Sequence, residues 1–104
     1  MMVPVGVTDR AEAEWDAVYQ WWAENRSAEQ AVRWYNGIAD AIEALADRPA
    51  QWPLARENSR TPYELRERHF GLGRQPTHRI LFTIRPELVL IVSIRHVAQH
   101  DFVA

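Results

Sequence analysis

Thr77-His78-Arg79-Ile80-Leu81-Phe82-Thr83-Ile84-Arg85 and Leu88-Val89-Leu90-Ile91-Val92-Ser93-Ile94-Arg95-His96-Val97 flank the dipeptide Pro86-Glu87. Both runs are dense in β-branched and aromatic residues, and proline between them cannot continue a strand, so the segment predicts a β-hairpin. Side-chain parity then sets a register. Ile80, Phe82 and Ile84 share one face, and Leu90, Val92 and Ile94 share one face of the next strand. A single buried face gathers both sets if the loop has three residues, with Arg85 opposite Val89. A two-residue loop would split them. The three-residue loop pairs Ile84 with Leu90, Phe82 with Val92 and Ile80 with Ile94. It also puts Arg79 directly opposite Arg95 on the other face, and His78 opposite His96.

Like charges facing each other across a sheet are destabilising. The register therefore demands a counter-charge: an external anion, solvent, or a carboxylate such as Glu67, Asp101 or the chain terminus. Arg66 and Arg68 share a parity on the preceding segment, Tyr63–Phe70, and are expected to join the same face. Gly71-Leu72-Gly73-Arg74-Gln75-Pro76 reads as the turn between that strand and the hairpin. It lacks the strand-to-helix setting and the lysine of a phosphate loop.

Upstream the pattern is helical. Ala11, Trp15, Val18 and Trp22 recur at the spacing of one helix face, after a cap at Thr8 or Asp9. Asn25-Arg26 interrupts them. Ser27 and Gln30 have capping-box spacing, and Ala31, Tyr35, Ile38, Ile42 and Leu45 form a second stripe that Pro49 ends. The short break predicts an antiparallel helical pair, with Trp21 and Trp34 at the flanks of their stripes. Val3–Val7 is a weak strand, residues 49–62 a loop, and Ala98–Ala104 a short tail. The expected fold is α+β, in the order β-α-α-β-β-β, with the helical hairpin on one face of an antiparallel sheet.

The 104 residues make one domain, 1–104. Cysteine is absent, which excludes disulfide, zinc-thiolate and thiol-nucleophile chemistry. All 12 basic residues are arginine. The net charge of −2 hides an asymmetry. Residues 1–55 carry four arginines against nine acids, whereas residues 56–104 carry eight against five and all four histidines. An acidic helical side and a basic sheet side follow. No apolar run is long enough for a membrane span, and the N-terminus does not read as a secretion signal, so a cytoplasmic protein is expected. The histidines lack metal-ligand spacing: His69 and His78 flank a turn, and His96 and His100 sit at a strand end.

The succession Glu64-Leu65-Arg66, a glycine turn, His78-Arg79-Ile80-Leu81-Phe82 and Val92-Ser93-Ile94-Arg95-His96 resembles the RelE/ParE toxin superfamily, also described as plasmid-stabilisation proteins. Arg33-Trp34-Tyr35, Ala41-Ile42-Glu43-Ala44-Leu45, Pro53-Leu54-Ala55 and Glu57-Asn58 add to the resemblance, which covers nearly the whole chain. It implies the β-α-α-β-β-β fold, no cofactor, no metal and a cognate antitoxin protein as partner, in assemblies of heterotetramer size or larger. It also implies one of two activities. RelE-like members cleave ribosome-bound messenger RNA, and ParE-like members poison DNA gyrase. Metal-free RNA cleavage needs an acid–base pair beside a phosphate-holding cation. For that chemistry the resemblance nominates Arg79, Arg66 and His96, with His100 as a second histidine. RelE-like nucleases carry a tyrosine or a histidine near the C-terminus in a basic setting. Here Phe102, without a hydroxyl, stands in that neighbourhood, and this places the chain nearer the ParE-like branch. There Arg68, Arg79 and Arg95 are the candidates for contact with an anionic partner or the antitoxin. A non-toxic binding module with the same fold is the further alternative.

Overall fold

A computed structural model describes residues 3–104. Strand β1 (Val5–Val7) leads into helix α1 (Asp9–Asn25) and helix α2 (Ala28–Glu43); strands β2 (Arg66–Phe70), β3 (His78–Ile84) and β4 (Val89–His96) follow. Both helices start where the sequence places them. Thr8 Oγ1 accepts from the Ala11 N–H at 3.1 Å, and Ser27 Oγ from the Gln30 N–H at 3.1 Å. Each bond satisfies one of the unpaired amides of a helix N-terminus. Three short 3-10 turns carry the chain from α2 to β2.

The sheet order is β1-β4-β3-β2. β2, β3 and β4 are antiparallel, while β1 lies parallel to β4. The sheet is therefore mixed, because β1 reaches β4 only after the helical hairpin has carried the chain back over the sheet. Pro4 extends the pairing by accepting from the Val89 N–H at 2.9 Å.

The hairpin register departs from the expected one near its loop. Arg85 N–H donates to the Leu88 carbonyl at 2.8 Å, so the loop is the two-residue Pro86-Glu87. Ile84 pairs with Val89 and Phe82 with Ile91, and the register shifts before Leu81 pairs with Ser93. Val92 is the extra residue of a β-bulge, which resets parity by one. Beyond it Ile80 faces Ile94, Arg79 faces Arg95 and His78 faces His96, as parity predicted. The bulge explains why a single loop length could not satisfy both ends. Val89, Ile91 and Ile94 face the helices with Ile80 and Phe82, whereas Leu90 and Val92 turn to the opposite face.

α2 is also rotated relative to the expected stripe. Ala31, Trp34, Ile38, Ala41 and Ile42 are buried, and Trp34 is wholly inaccessible. Tyr35 instead lies at the surface and stacks on Trp15, ring centroids 5.0 Å apart. Burying the larger indole gains more apolar area, on the order of 2–3 kcal/mol for a large side chain. Tyr35 keeps its hydroxyl in reach of water.

The sheet face away from the helices is covered too. Ala55, Leu65, Leu81, Val92 and Phe102 form a second, smaller core, with Tyr63 and Leu90 packed against it. The 53–65 loop and the C-terminal segment supply this cover, and residues 99–104 form no helix. Six of the seven β3 residues are consequently buried.

Candidate functional site

Arg79 sits at the centre of that second face, flanked by His69 of β2 and Arg95 of β4. Its side chain is 2 % exposed. Nη1 donates to Glu57 Oε2 at 2.9 Å and Nη2 to Glu57 Oε1, while Nε and Nη2 each reach Glu67 at 3.3 Å. Glu57 is fully buried, and it also accepts from the Phe102 backbone N–H at 2.9 Å. Burial alone would raise the Glu57 carboxyl. The hydrogen bonds from Arg79 and the Phe102 N–H, with the Arg79 charge, outweigh burial and hold it down at about 2. The bonds to Glu57 push Arg79 above its ordinary value, against the opposing effect of burial. Glu67 is half-shielded; burial would raise it, but Arg79 and then His69 hold it below the usual range. His69 Nε2 lies 2.6 Å from Glu67 Oε2. One guanidinium thus serves two carboxylates, and four donor–acceptor contacts occupy its fork.

The other arginines are drawn to separate places. Arg95 donates through Nε and Nη2 to the His100 carbonyl at 3.1 and 2.7 Å, and its Nη1 lies 3.5 Å from Glu14. Arg79 and Arg95 face each other, yet each turns to its own acceptors, which resolves the like-charge conflict from inside the chain. Arg66 and Arg68 do not join them. Arg66 pairs with Phe82 and Arg68 with Ile80, so both lie on the helix-side parity, and Glu67 and His69 take the Arg79 face. Arg68 donates to the Ala41 carbonyl at 2.9 Å near the C-terminal end of α2, where the helix dipole favours a cation. Its guanidinium also covers the Trp52 ring at 4.6 Å. Arg66 donates to the Trp52 carbonyl at 2.6 Å and to Glu64 at 3.0 Å. His96 is exposed at the end of β4, and its Nδ1 accepts from the Ala98 N–H at 3.0 Å. It pairs with His78, on the parity opposite Arg79. Arg79, Arg66 and His96 are therefore not brought to one place.

The sequence profile of the ParE toxin of type II toxin-antitoxin system, parDE, matches residues 5–100. That span includes both helices and the whole sheet. This chain belongs to the ParE toxin family. A solved structure described as the chromosomal ParDE TA system from P. aeruginosa has a chain of the same fold, with a TM-score of 0.72. The two are 23 % identical, and the alignment covers 92 % of this chain and 97 % of that one. No curated protein matches the sequence.

In this ParE-family chain Glu57 and Phe102 complete the Arg79 centre, and sequence pattern did not single out Glu57. The usable signal was the charge conflict between Arg79 and Arg95, which required a carboxylate; Glu67 was one of the candidates, although the parity expected for Arg66 and Arg68 would have set it on the other face. Glu57 lies in an aperiodic loop, where parity says nothing. Asp101, another expected counter-charge, instead holds Arg56 at 2.7 Å and Arg60 outside the centre. Among the described residues, no group of three or more acids and histidines is placed to hold a metal ion. No helix among them is long and apolar enough to cross a membrane.

Proposed function

We propose that this chain is the growth-inhibiting toxin of a type II pair. In this reading it acts in the cytoplasm on DNA gyrase by binding, without cleaving nucleic acid, and a cognate antitoxin neutralises it. One observation carries the preference for binding over cleavage. Arg79, the cation best matched to a scissile phosphate, is buried against Glu57 and Glu67 and lies on the face opposite His96. A phosphate at Arg79 would have to displace a fully buried carboxylate, and the acid–base groups beside it, Glu67 and His69, are engaged with Arg79 and with each other. Family membership supports the toxin role, and the ParE-like resemblance supplies gyrase as the target.

Induced expression in bacteria tests this reading. The expected outcome is filamentation and a DNA-damage response with messenger RNA intact, together with loss of supercoiling by purified gyrase when the protein is added. Rapid cleavage of ribosome-bound messenger RNA would replace it with the nuclease reading. Harmless expression without an antitoxin would replace it with a non-toxic binding module.

A further inference from the structure

The solvent side of the helical hairpin carries an open groove of about 570 Å³ between α1 and α2. Asp16, Tyr19 and Gln20 line it from α1, and Val32, Tyr35 and Asn36 from α2. Tyr19 and Tyr35 meet edge to face, ring centroids 5.6 Å apart, and Tyr35 is backed by Trp15. Five of the six lining side chains are polar. Among the described residues none of the five is used in a hydrogen bond or an ion pair within the chain. Phenol and amide groups with free bonding capacity are the residue types that protein-binding surfaces favour. The surroundings are acidic. Residues 9–43 carry eight acids against three arginines. Of those eight acids only Glu14 enters an ion pair among the described residues. Glu12 lies one helical turn from Asp16 and Asp40 one turn from Asn36, so the carboxylates continue from the groove along both helices.

We propose that this groove takes an arginine-bearing segment of the target protein. The proposal rests on the toxin reading above and adds the surface through which the target is met. Arginine fits the lining. Its planar guanidinium stacks on a tyrosine ring, while its N–H fork suits the Asp16 carboxylate and the amide oxygens of Gln20 and Asn36. A target that handles DNA supplies such a segment, because proteins hold the phosphate backbone with arginine and lysine. A second copy of this chain does not. Hairpin against hairpin opposes two faces that each carry five more acids than arginines. Outside the hairpin, the exposed arginines that enter no ion pair among the described residues are Arg74 and Arg85, in the turns at opposite ends of β3. The chain therefore presents no cluster of free arginines to the groove of another copy.

The full chain is titrated into purified DNA gyrase, and the concentration that halves supercoiling is read. Asp16→Arg and Gln20→Arg alter exposed side chains that make no hydrogen bond or ion pair within the chain, so melting temperatures near that of the unaltered chain are expected. Each is expected to raise the halving concentration about tenfold or more. Glu87→Arg, in the β3–β4 loop, makes the same change of net charge as Asp16→Arg away from the groove, and is expected to inhibit like the unaltered chain. Equal inhibition by all three variants and the unaltered chain overturns the groove assignment alone. An unaltered chain that fails to inhibit gyrase overturns the reading of function, and this inference with it. Two further measurements identify the occupant. Affinity for the antitoxin is expected to be unchanged in Asp16→Arg; a parallel tenfold loss there assigns the groove to the antitoxin and overturns the proposal. Sedimentation of the chain alone is expected to be the same with and without Asp16→Arg. A dimer that this substitution dissociates assigns the groove to a second copy and overturns the proposal equally.

Discussion

Arg79 and Glu57 meet side by side beneath the C-terminal segment, Nη1 on Oε2 at 2.9 Å and Nη2 on Oε1, with both side chains out of solvent. The pair joins three pieces that are distant in sequence: the central strand, the 53–65 loop and, through the Phe102 N–H, the last residues of the chain. Phe102 then packs against Leu65, Leu81 and Val92, so the charged centre and the second core hold each other in place.

Removing one partner leaves the other charge buried, and such losses cost about 3–5 kcal/mol. Arg79→Ala is therefore expected to lower unfolding stability in urea by that amount. Replacing both with apolar residues of similar volume, Arg79→Met with Glu57→Leu, is expected to cost less than Arg79→Ala, the remaining loss being Glu67 and the Phe102 N–H deprived of these partners. A single substitution that costs under about 1 kcal/mol would show the pair to be energetically idle. Any loss of toxicity in Arg79→Ala should follow the loss of folded protein. A fully folded but inactive Arg79→Ala would instead give the residue a direct part in the target.

Acid should unfold the protein in two windows. Burial, and then the neighbouring His96, hold His78 down at about 4 against an ordinary 6.5. Between those values the unfolded chain binds the proton and the folded chain does not, so stability falls as pH drops from about 6.5 to 4. The loss is on the order of 3 kcal/mol for a shift of this size. Glu57 behaves in the separate, lower window. Its contribution is present above the unfolded value near 4.5 and disappears as pH falls towards about 2. His78→Phe, which keeps a ring beside Trp34, is expected to abolish the upper window and leave the lower one. Urea melts at pH 7, 5 and 3 read both. An unchanged slope between pH 6.5 and 4 in that variant would assign the upper window to another group.

The contrast between those two residues shows what the sequence could reveal. His78 opposite His96 and Arg79 opposite Arg95 follow from alternation, a strictly local rule. The helix caps at Thr8 and Ser27 were legible for the same reason. The bulge at Val92 was not, because the extra residue has no sequence signature and two errors, loop length and parity, cancelled at Ile94. Arg66 and Arg68 were misplaced because register across a six-residue turn cannot be counted from parity within one strand. Glu57 depends on where an aperiodic loop crosses the sheet, and only tertiary structure fixes that.

The Gly71-Leu72-Gly73 turn contains one required glycine. A Cβ on Gly71 would lie 2.4 Å from the Gln75 carbonyl oxygen and 3.1 Å from Pro76 Cα, both backbone atoms that cannot swing aside. A Cβ on Gly73 would meet nothing within 4 Å. Gly71→Ala is expected to destabilise by about 1–3 kcal/mol by forcing the turn open, a cost typical of overpacking. Gly73→Ala is expected to be neutral, or to stabilise by about 0.4–1 kcal/mol through the unfolded chain. Thermal melts of the two variants distinguish them, and equal behaviour would mean that the turn yields without cost.

Glu14 covers a sheet edge that β1 is too short to reach. β1 pairs with β4 only as far as Ile91. Past the bulge, Glu14 Oε1 accepts from Ser93 Oγ at 2.8 Å and from the Ile94 N–H at 3.2 Å, and Oε2 lies 3.5 Å from Arg95 Nη1. One α1 side chain thus substitutes for the missing strand and counters one of the two facing arginines. Glu14→Gln keeps an oxygen that accepts from Ser93 and Ile94, so it should cost only the weak ion pairs with Arg95 and, at 3.7 Å, Arg10, about 1 kcal/mol or less. Glu14→Ala removes these contacts altogether and should cost about 1–3 kcal/mol. The Ile94 amide should exchange with solvent much faster in Glu14→Ala than in Glu14→Gln. Strand edges without cover also recruit other strands. The alanine variant is therefore expected to self-associate at concentrations where the glutamine variant stays dispersed, as sedimentation would show. If both variants protect Ile94 equally, water or backbone covers this edge and the carboxylate is dispensable there.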